Sequence, residues 1–317
     1  MLMNKKVSIL MSIYNEIQSE ILRAINSLLN QDYDNFEIII VVDDPNRTDI
    51  EELLTNINSS KIIHIKNEKN VGLAMSMNKA FERSEGYYIA RMDADDYSYK
   101  SRISKEVAYI ESNNVDLVCT EFKNVDYMYN ELSDIKTEFF SDEEINRKIL
   151  IQNCIHHPTV LMKRSAFIEV NGYRNFDCAQ DFDLWLRLKE MGMKFGIINE
   201  VLLDYTIRKD SVSNKKNMKQ FATLIYIQKL FNERLKNGID SYSFYNYQEY
   251  VKQINMKKDD FDKMKLILKK SADCNNSKIN RIMLKMYLTF RYKMIRKSYF
   301  EKIYTLILIK RKKKQFD

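Results

Sequence analysis

The chain has 317 residues, of which 45% are hydrophobic and 30% are charged, and its formal net charge is +7. This length and balance fit one full α/β domain plus a smaller appendage, and they exclude a disordered chain or a small disulfide-stabilised scaffold. The four cysteines lie far apart without a C-x-x-C pair, which predicts reduced thiols and disfavours a zinc knuckle or a thioredoxin-like site.

The first part of the chain alternates between apolar runs and segments with helical periodicity. Strands are predicted at residues 7–13, 36–42, 61–66 and 87–92, and helices at residues 16–30, 48–58 and 71–84. In the first of these helices, Ile17, Ile21, Ile25 and Leu28 recur at helical spacing. Strands that alternate with helices predict a mostly parallel sheet that is covered on both faces.

The middle of the chain continues this pattern and the last third does not. Residues 101–113 and 181–191 are predicted helices, residues 116–122 a strand, and Ser141 to Glu144 have the spacing of a capping box. Beyond about Asn214 the sequence is helix-forming and rich in Tyr and Lys. We therefore predict an α/β domain over residues 1–213 and a helical, basic C-terminal region over residues 214–317.

An acidic cluster, Asp93-Ala94-Asp95-Asp96, directly follows the apolar run 87–92. Ligands bind at the carboxyl edge of an open α/β sheet, and alternate carboxylates there can hold one hard cation and a diphosphate. The cluster therefore indicates a site for Mg²⁺ or Mn²⁺, because such cations prefer oxygen ligands. A solvated acidic turn is the alternative interpretation, since Asp also favours turns and helix starts.

One other carboxylate pair, a single aspartate and a histidine pair are candidate site residues. Asp43-Asp44 ends the second strand, where a nucleotide-binding sheet contacts base and ribose, although a turn-forming Asp is the alternative. Asp181 lies in the first turn of an apolar helix, where the helix dipole favours an ionised general base or a helix cap. His156-His157 is a poor metal chelate, because adjacent side chains of an extended chain point apart.

Together, these motifs resemble the inverting family 2 glycosyltransferases of the GT-A fold, particularly bacterial enzymes that build capsule, O-antigen and other surface polysaccharides. The resemblance spans roughly residues 5–213 and implies a Rossmann-like sheet flanked by helices, with a C-terminal helical appendage. It rests on these segments: Ser8 to Glu16, Ser27 to Tyr33, Asp43-Asp44, Asn70 to Leu73, Ala90 to Asp96, His157-Pro158-Thr159 and Gln180-Asp181.

The resemblance implies a role for each matching residue. Asp44 would contact the nucleobase, Asp93 and Asp95 would hold the sugar nucleotide through Mg²⁺ or Mn²⁺, and Asp181 would be the general base. Arg102 stands at the position of a family arginine, although a plain salt bridge explains it equally well. The expected donor is a UDP-sugar, with dTDP- and GDP-sugars as alternatives, and the acceptor is a hydroxyl of a glycan or a polyprenyl-diphosphate-linked glycan.

Two positions depart from the family pattern. Gln180 stands where many members have Glu, which leaves Asp181 intact but removes a neighbouring charge. Tyr205-Thr206-Ile207-Arg208 replaces the Y-R-x-H pattern, so the family's late histidine does not carry over. We expect Arg208 to bind the donor diphosphate directly, because a guanidinium offers a fork of charged donors.

The C-terminal stretch from residue 281 is strongly basic and interleaved with aromatic residues. This composition fits an anionic surface, so we expect a cytoplasmic protein that associates peripherally with the inner face of the cell membrane, with no nucleic acid partner. A solvated helical face with a basic end is the alternative.

Three other classes of protein are alternatives to the one that the motifs resemble. A sugar-nucleotide pyrophosphorylase needs a Gly-rich loop after the first strand, and Ser12-Ile13-Tyr14-Asn15 has no Gly. A dehydrogenase is disfavoured because no G-x-G-x-x-G follows any predicted strand. A non-catalytic basic module for membrane or nucleic acid stays an alternative, which salt-sensitive nucleic acid binding without sugar-nucleotide binding would favour.

Overall fold

The computed structural model describes residues 4–132, 140–207, 217–254, 256–272 and 278–311. The chain divides into two compact units, Met1–Ser211 and Val212–Asp317. The described part of the first unit contains these strands: β1 Val7–Ile13, β2 Phe36–Val42, β3 Ile62–Lys66, β4 Tyr88–Asp93, β5 Tyr97–Ser98, β6 Leu117–Val125, β7 Val160–Lys163 and β8 Phe195–Thr206.

Helices follow most of these strands and make up the described part of the second unit. The first unit has α1 Gln18–Leu29, α2 Thr48–Ile57, α3 Leu73–Arg83, α4 Arg102–Asn113, α5 Asp142–Lys148, a 3-10 helix His157–Thr159, α6 Arg164–Glu169 and α7 Gln180–Glu190. The second unit has α8 Asn217–Asn237, α9 Phe244–Gln253, α10 Lys258–Ala272, α11 Lys278–Arg291 and α12 Lys293–Arg311.

The strands form one mixed sheet in the order β3-β2-β1-β4-β7-β6-β8-β5. Strands β1 to β4 are parallel to one another, β7 runs antiparallel to both of its neighbours, and β6 pairs with β8 in parallel. Because β1 lies between β2 and β4, the carboxyl ends of these three strands meet at the point where the strand order reverses. The predicted α/β class, with its C-terminal helical region, is confirmed.

The apolar runs of the sequence are the buried strands of this sheet. All seven residues of β2 are buried, and β1 is buried except at Ser12, as a strand covered on both faces requires. The second unit has its own core, which includes Phe261, Met264 and Leu288. Among the residues that the structure describes, no helix is both long and apolar enough to cross a bilayer.

Two strands of the sheet, β5 and β8, do not follow from the sequence pattern. Strand β5 is only two residues long. Strand β8 changes register against β6 around Glu121, and its burial does not alternate regularly. A bulge of this kind interrupts the period of two by which strands are recognised. The predicted capping box is confirmed, because the Ser141 Oγ accepts a hydrogen bond from the Glu144 amide.

Candidate active site

Three aspartates meet at the carboxyl end of β4. Asp93 is the last residue of that strand, and the loop behind it brings Asp95 and Asp96 back, so that one carboxylate oxygen of each lies within 4.8 Å of the others. Asp93 and Asp95 are half-buried, whereas Asp96 is fully buried. The structure therefore brings the two predicted metal residues together and adds Asp96 to them.

The electrostatics of this acidic loop suit a hard cation. Asp96 Oδ1 accepts a hydrogen bond of 2.9 Å from the Thr206 amide, while its buried Oδ2 has no hydrogen-bond partner among the described residues. Burial, together with the charges of Asp93 and Asp95, raises the pKa of Asp96 well above its usual range. A divalent cation fits such crowded carboxylates, because it would neutralise their repulsion and use the unpaired oxygen.

The backbone of the acidic loop is held from two other elements. The carbonyl oxygen of Asp95 accepts a hydrogen bond of 2.6 Å from Thr206 Oγ1, at the end of β8, and one of 3.4 Å from an Arg23 guanidinium nitrogen in α1. The Arg23 guanidinium also packs on the Tyr129 ring, 3.9 Å from its centroid. Thr206 is thus a support of the loop that sequence reasoning missed, although it lies inside the segment where the chain departs from the family.

Of the two aspartates after β2, Asp43 is buried and Asp44 is partly exposed. Asp43 is 2% exposed and accepts hydrogen bonds from the amides of Val71 and Gly72 at 2.9 Å each and from Asn67 Nδ2 at 2.8 Å. Gly72 has a φ of +83°, which favours glycine. Asp43 therefore fixes the turn before α3, while the carboxylate of the partly exposed Asp44 accepts a hydrogen bond of 2.9 Å from the Asn46 amide.

Asp181 lies in the first turn of α7, as its sequence position predicts. Its Oδ2 accepts a hydrogen bond of 2.8 Å from Asn153 Nδ2, and burial raises the pKa of its carboxyl. Asp183, one half-turn further along, is fully buried and paired with Arg187 at 2.8 Å and with Arg174 at 3.7 Å. Of the two aspartates of this helix, Asp181 is therefore the one without a salt bridge in the described contacts.

The charges of Asp181 and of the acidic loop both act on Arg91 or Tyr173. Arg91 is 3% exposed, forms an ion pair with Asp93, and its charge also acts on Asp181 by lowering the pKa that burial raises. Burial raises the pKa of Tyr173, and the charges of both Asp181 and Asp93 raise it further. Asp181 and Asp93 therefore belong to one electrostatic environment. Tyr173 also shares a hydrogen bond of 2.6 Å with His157 Nε2.

The remaining predicted residues lie apart from the cluster or outside the described residues. Arg102 is fully buried and donates to the carbonyls of Pro158 at 2.8 Å and Arg91 at 3.1 Å. It ties β4 to the 3-10 helix and also pairs with the buried Glu106 at 3.8 Å, which supports the alternative of a plain salt bridge. His156 stacks on Phe122 with 3.9 Å between ring centroids, so the two histidines point apart as expected. Arg208 lies outside the described residues.

Comparison with known proteins identifies the family of this chain. The model of the family described as "Glycosyl transferase family 2" matches residues 8–170, just over half of the 317 residues. An uncharacterised glycosyltransferase of Methanocaldococcus jannaschii is 32% identical over 245 residues, which cover 71% of this chain and 84% of that protein. A relative in Escherichia coli, WfaP, is 32% identical over 66% of this chain and 80% of its own length.

The fold has a counterpart among solved structures. The crystal structure of S. aureus TarS in complex with UDP-GlcNAc superposes with a TM-score of 0.60, at 16% identity, over 78% of this chain and 70% of that one. At this identity the likeness concerns the fold alone, and it agrees with the GT-A fold that the motifs imply. The resemblance carried by those motifs is confirmed: the chain belongs to glycosyl transferase family 2 and is a glycosyltransferase.

Proposed function

We propose that this glycosyltransferase transfers a sugar, with inversion, from a nucleotide-diphosphate donor to a hydroxyl of a glycan or lipid-linked glycan during synthesis of a bacterial surface polysaccharide. The observation that carries the proposal is the proximity of Asp93, Asp95 and Asp96 at the end of β4, with Asp181 in the same electrostatic environment. A UDP-sugar is the expected donor. Its support is that WfaP is named as acting with UDP-Glc and that TarS was solved with UDP-GlcNAc.

The donor diphosphate would be held through Mg²⁺ or Mn²⁺ by Asp93 and Asp95, with Asp96 beside them. The unpaired, buried oxygen of Asp96 and the crowding of the three carboxylates support this assignment. When bound, the cation would offset the negative charge that develops on the departing nucleoside diphosphate. We further propose that Asp44 contacts the nucleobase from the end of β2 and that Arg208 binds the diphosphate.

Asp181 is proposed as the general base. It would take the proton from the acceptor hydroxyl while that oxygen attacks the anomeric carbon of the donor sugar, which inverts the configuration at that carbon. A carboxyl whose pKa is raised by burial is a stronger base than an ordinary aspartate, which suits this role. The hydrogen bond from Asn153 would fix the orientation of its second oxygen.

The acceptor is proposed to be a polyprenyl-diphosphate-linked glycan at the cytosolic face of the membrane, where the protein would be peripherally bound. Two observations support this location. WfaP is named as acting on a GlcNAc-diphosphoundecaprenol, a lipid-linked acceptor. Residues 278–311 contain ten Lys and Arg residues against one acidic residue, Glu301, and such a segment is attracted to anionic headgroups.

A thermal-shift panel of UDP, dTDP, GDP and CMP, each with and without Mn²⁺, tests the donor side of this proposal. We expect one nucleoside diphosphate to raise the melting temperature only when Mn²⁺ is present, because a ligand that binds the native state stabilises it by mass action. The nucleotide that produces this shift would identify the nucleotide part of the donor. A panel without any shift would overturn the proposed donor site and favour a binding module with an inert acidic loop.

A further inference from the structure

Helix α11 in the second unit carries an apolar stripe on its surface. Successive residues of a helix are rotated by about 100°, which places the members of this stripe within an arc of about 140°. Each of them is at least half exposed: Ile279, Ile282, Met283, Met286, Tyr287 and Phe290. Six large apolar side chains on one helix face form a continuous surface, and surfaces of this kind mark interaction sites.

The opposite face of α11 is already used by the core of the second unit. Leu288 is fully buried and belongs to the core cluster that contains Phe261, Met264 and Tyr292. The end of the helix is fixed by Arg296, whose guanidinium donates to the carbonyls of Thr289 and Phe290. The exposed stripe therefore lies on a fixed helix, because the other side of α11 packs in the core of the second unit.

Basic residues lie along both margins of the stripe. At the same helical spacing, Arg281 and Lys285 fall between the stripe and the buried face on one side, and Arg291 falls between them on the other. Lys285 and Arg291 are exposed. The helix contains no Asp or Glu at all. Its surface therefore combines an apolar centre with positively charged edges.

We infer that α11 is a lipid-docking helix, which lies in the plane of an anionic bilayer surface with its apolar stripe inserted below the headgroups. Its 14 residues span about 21 Å, less than the roughly 30 Å of a hydrocarbon core, so the helix lies on the bilayer and does not cross it. The basic margins would contact the anionic headgroups at the depth where the apolar arc ends.

A second copy of the chain fits this surface less well than lipid does. In a symmetric dimer the same patch meets itself, so the stripe of one copy would bring its Lys285 and Arg291 towards those of the other. Helix α11 offers no carboxylate to compensate these charges. Anionic headgroups supply the missing negative charge, and this charge complementarity favours lipid as the occupant.

This inference deepens the proposed function, since it rests on the membrane location given there and names the surface that produces it. Flotation of the full chain with vesicles of phosphatidylcholine alone, or with phosphatidylglycerol added, tests it. We expect the wild type to float with the anionic vesicles. The double variant Met283→Glu/Phe290→Glu should reduce binding at least tenfold, because it places two carboxylates in the inserted face.

A matched control is Ile168→Glu, which alters a side chain of the first unit that is 55% exposed and should bind vesicles as the wild type does. The inference is overturned if the wild type does not float, or if the double variant floats as well as the wild type. It is also overturned if light scattering shows a wild-type dimer that the double variant converts to a monomer without any vesicle binding.

The same variants separate this inference from the proposed donor site. The Mn²⁺-dependent nucleotide shift should be equal in the wild type and in Met283→Glu/Phe290→Glu, which also verifies that the variant is folded. Loss of flotation with the nucleotide shift retained supports docking through α11. If the wild type floats and the double variant does not, but no nucleotide raises the melting temperature of either protein, the docking helix is supported and the proposed donor site is overturned.

Discussion

Two adjacent aspartates follow both β2 and β4, Asp43-Asp44 and Asp95-Asp96. The hydrogen bonds that they make in the folded chain differ. After β2, the buried Asp43 is satisfied by three N–H donors and fixes the turn at Gly72. After β4, Asp96 is equally buried but keeps one oxygen without a hydrogen-bond partner among the described residues, and it lies beside two other carboxylates. A carboxylate whose hydrogen bonds are complete stabilises the fold, whereas crowded, unsatisfied carboxylates cost stability and suit a ligand.

Helix α7 carries two aspartates that differ in ion pairing. Asp183 is ion-paired with Arg187 and Arg174, whereas the partly buried Asp181 accepts a hydrogen bond from Asn153 and has no salt bridge in the described contacts, and burial raises the pKa of its carboxyl. Residue arrangements that serve function commonly lower the stability of the folded protein. Substitutions of Asp43 or Asp183 should therefore lower the stability of the fold, whereas substitutions of Asp96 or Asp181 should remove activity or ligand binding without unfolding the protein.

The largest expected effect is that of Asp181→Asn. Loss of a general base should lower the transfer rate by about 10²- to 10⁴-fold, measured as nucleoside diphosphate release with acceptor membranes. The raised pKa means that stability is lost as pH rises from the ordinary aspartate pKa to the raised pKa of Asp181, so the Asn variant should melt no lower than the wild type above that range. In the wild type, transfer should fall with decreasing pH at a higher pH than for an ordinary aspartate.

Asp183→Asn is the control for this prediction, because it changes the ion-paired aspartate of the same helix. It should lower the melting temperature, since it removes the charge that pairs with two arginines. An Asp181→Asn protein with full activity would refute the base assignment, and one that fails to fold would refute the contrast between the two residues.

The next largest effect compares Asp43→Ala with Asp44→Ala. The first leaves three donors without their acceptor, one of them on the buried Asn67, and should lower the free energy of unfolding by about 3 kcal/mol, as measured by urea denaturation. The second removes a single loop contact to the Asn46 amide and should cost less than about 1 kcal/mol. Equal losses would show that Asp43 is not the structural member of the pair.

A smaller effect on folding is expected for Asp96→Asn. The amide oxygen can still accept the Thr206 N–H, while the repulsion from Asp93 and Asp95 is removed. The metal-free protein should therefore be as stable as the wild type or more so, and the melting-temperature increase produced by UDP with Mn²⁺ should shrink. A large loss of stability in the absence of Mn²⁺ would contradict this prediction and show that the Asp96 carboxylate stabilises the fold, as that of Asp43 does.

The smallest effect is expected for Thr206→Val, which removes the hydroxyl that donates to the Asp95 carbonyl but keeps the backbone N–H to Asp96. The loss of one hydrogen bond should lower the free energy of unfolding by about 1 kcal/mol. If Thr206 positions the loop, the Mn²⁺ concentration needed for half of the nucleotide-dependent shift should rise as well. Thr206→Ser, which restores the hydroxyl, should return that concentration towards the wild-type value.

Strands with an uninterrupted apolar run could be predicted closely from the sequence. The predicted bounds of β1 and β2 are those of the structure, because each residue of a strand covered on both faces contributes to the same apolar signal. Strand β8 could not be predicted, since its bulge against β6 and its partly exposed residues remove that signal. The antiparallel direction of β7 likewise depends on where the chain returns to the sheet.

The sequence by itself determined the family, the alternation of strands and helices, and the positions of the acidic loop and of Asp181, because local periodicity and motif spacing are properties of neighbouring residues. Only the tertiary structure decided which partners each of these aspartates has. The donors to Asp43 come from residues 67–72, those to the Asp95–Asp96 loop from Thr206 and Arg23, and the contacts of Arg102 from Pro158 and Arg91. These partners are distant in sequence, and folding alone brings them within hydrogen-bonding distance.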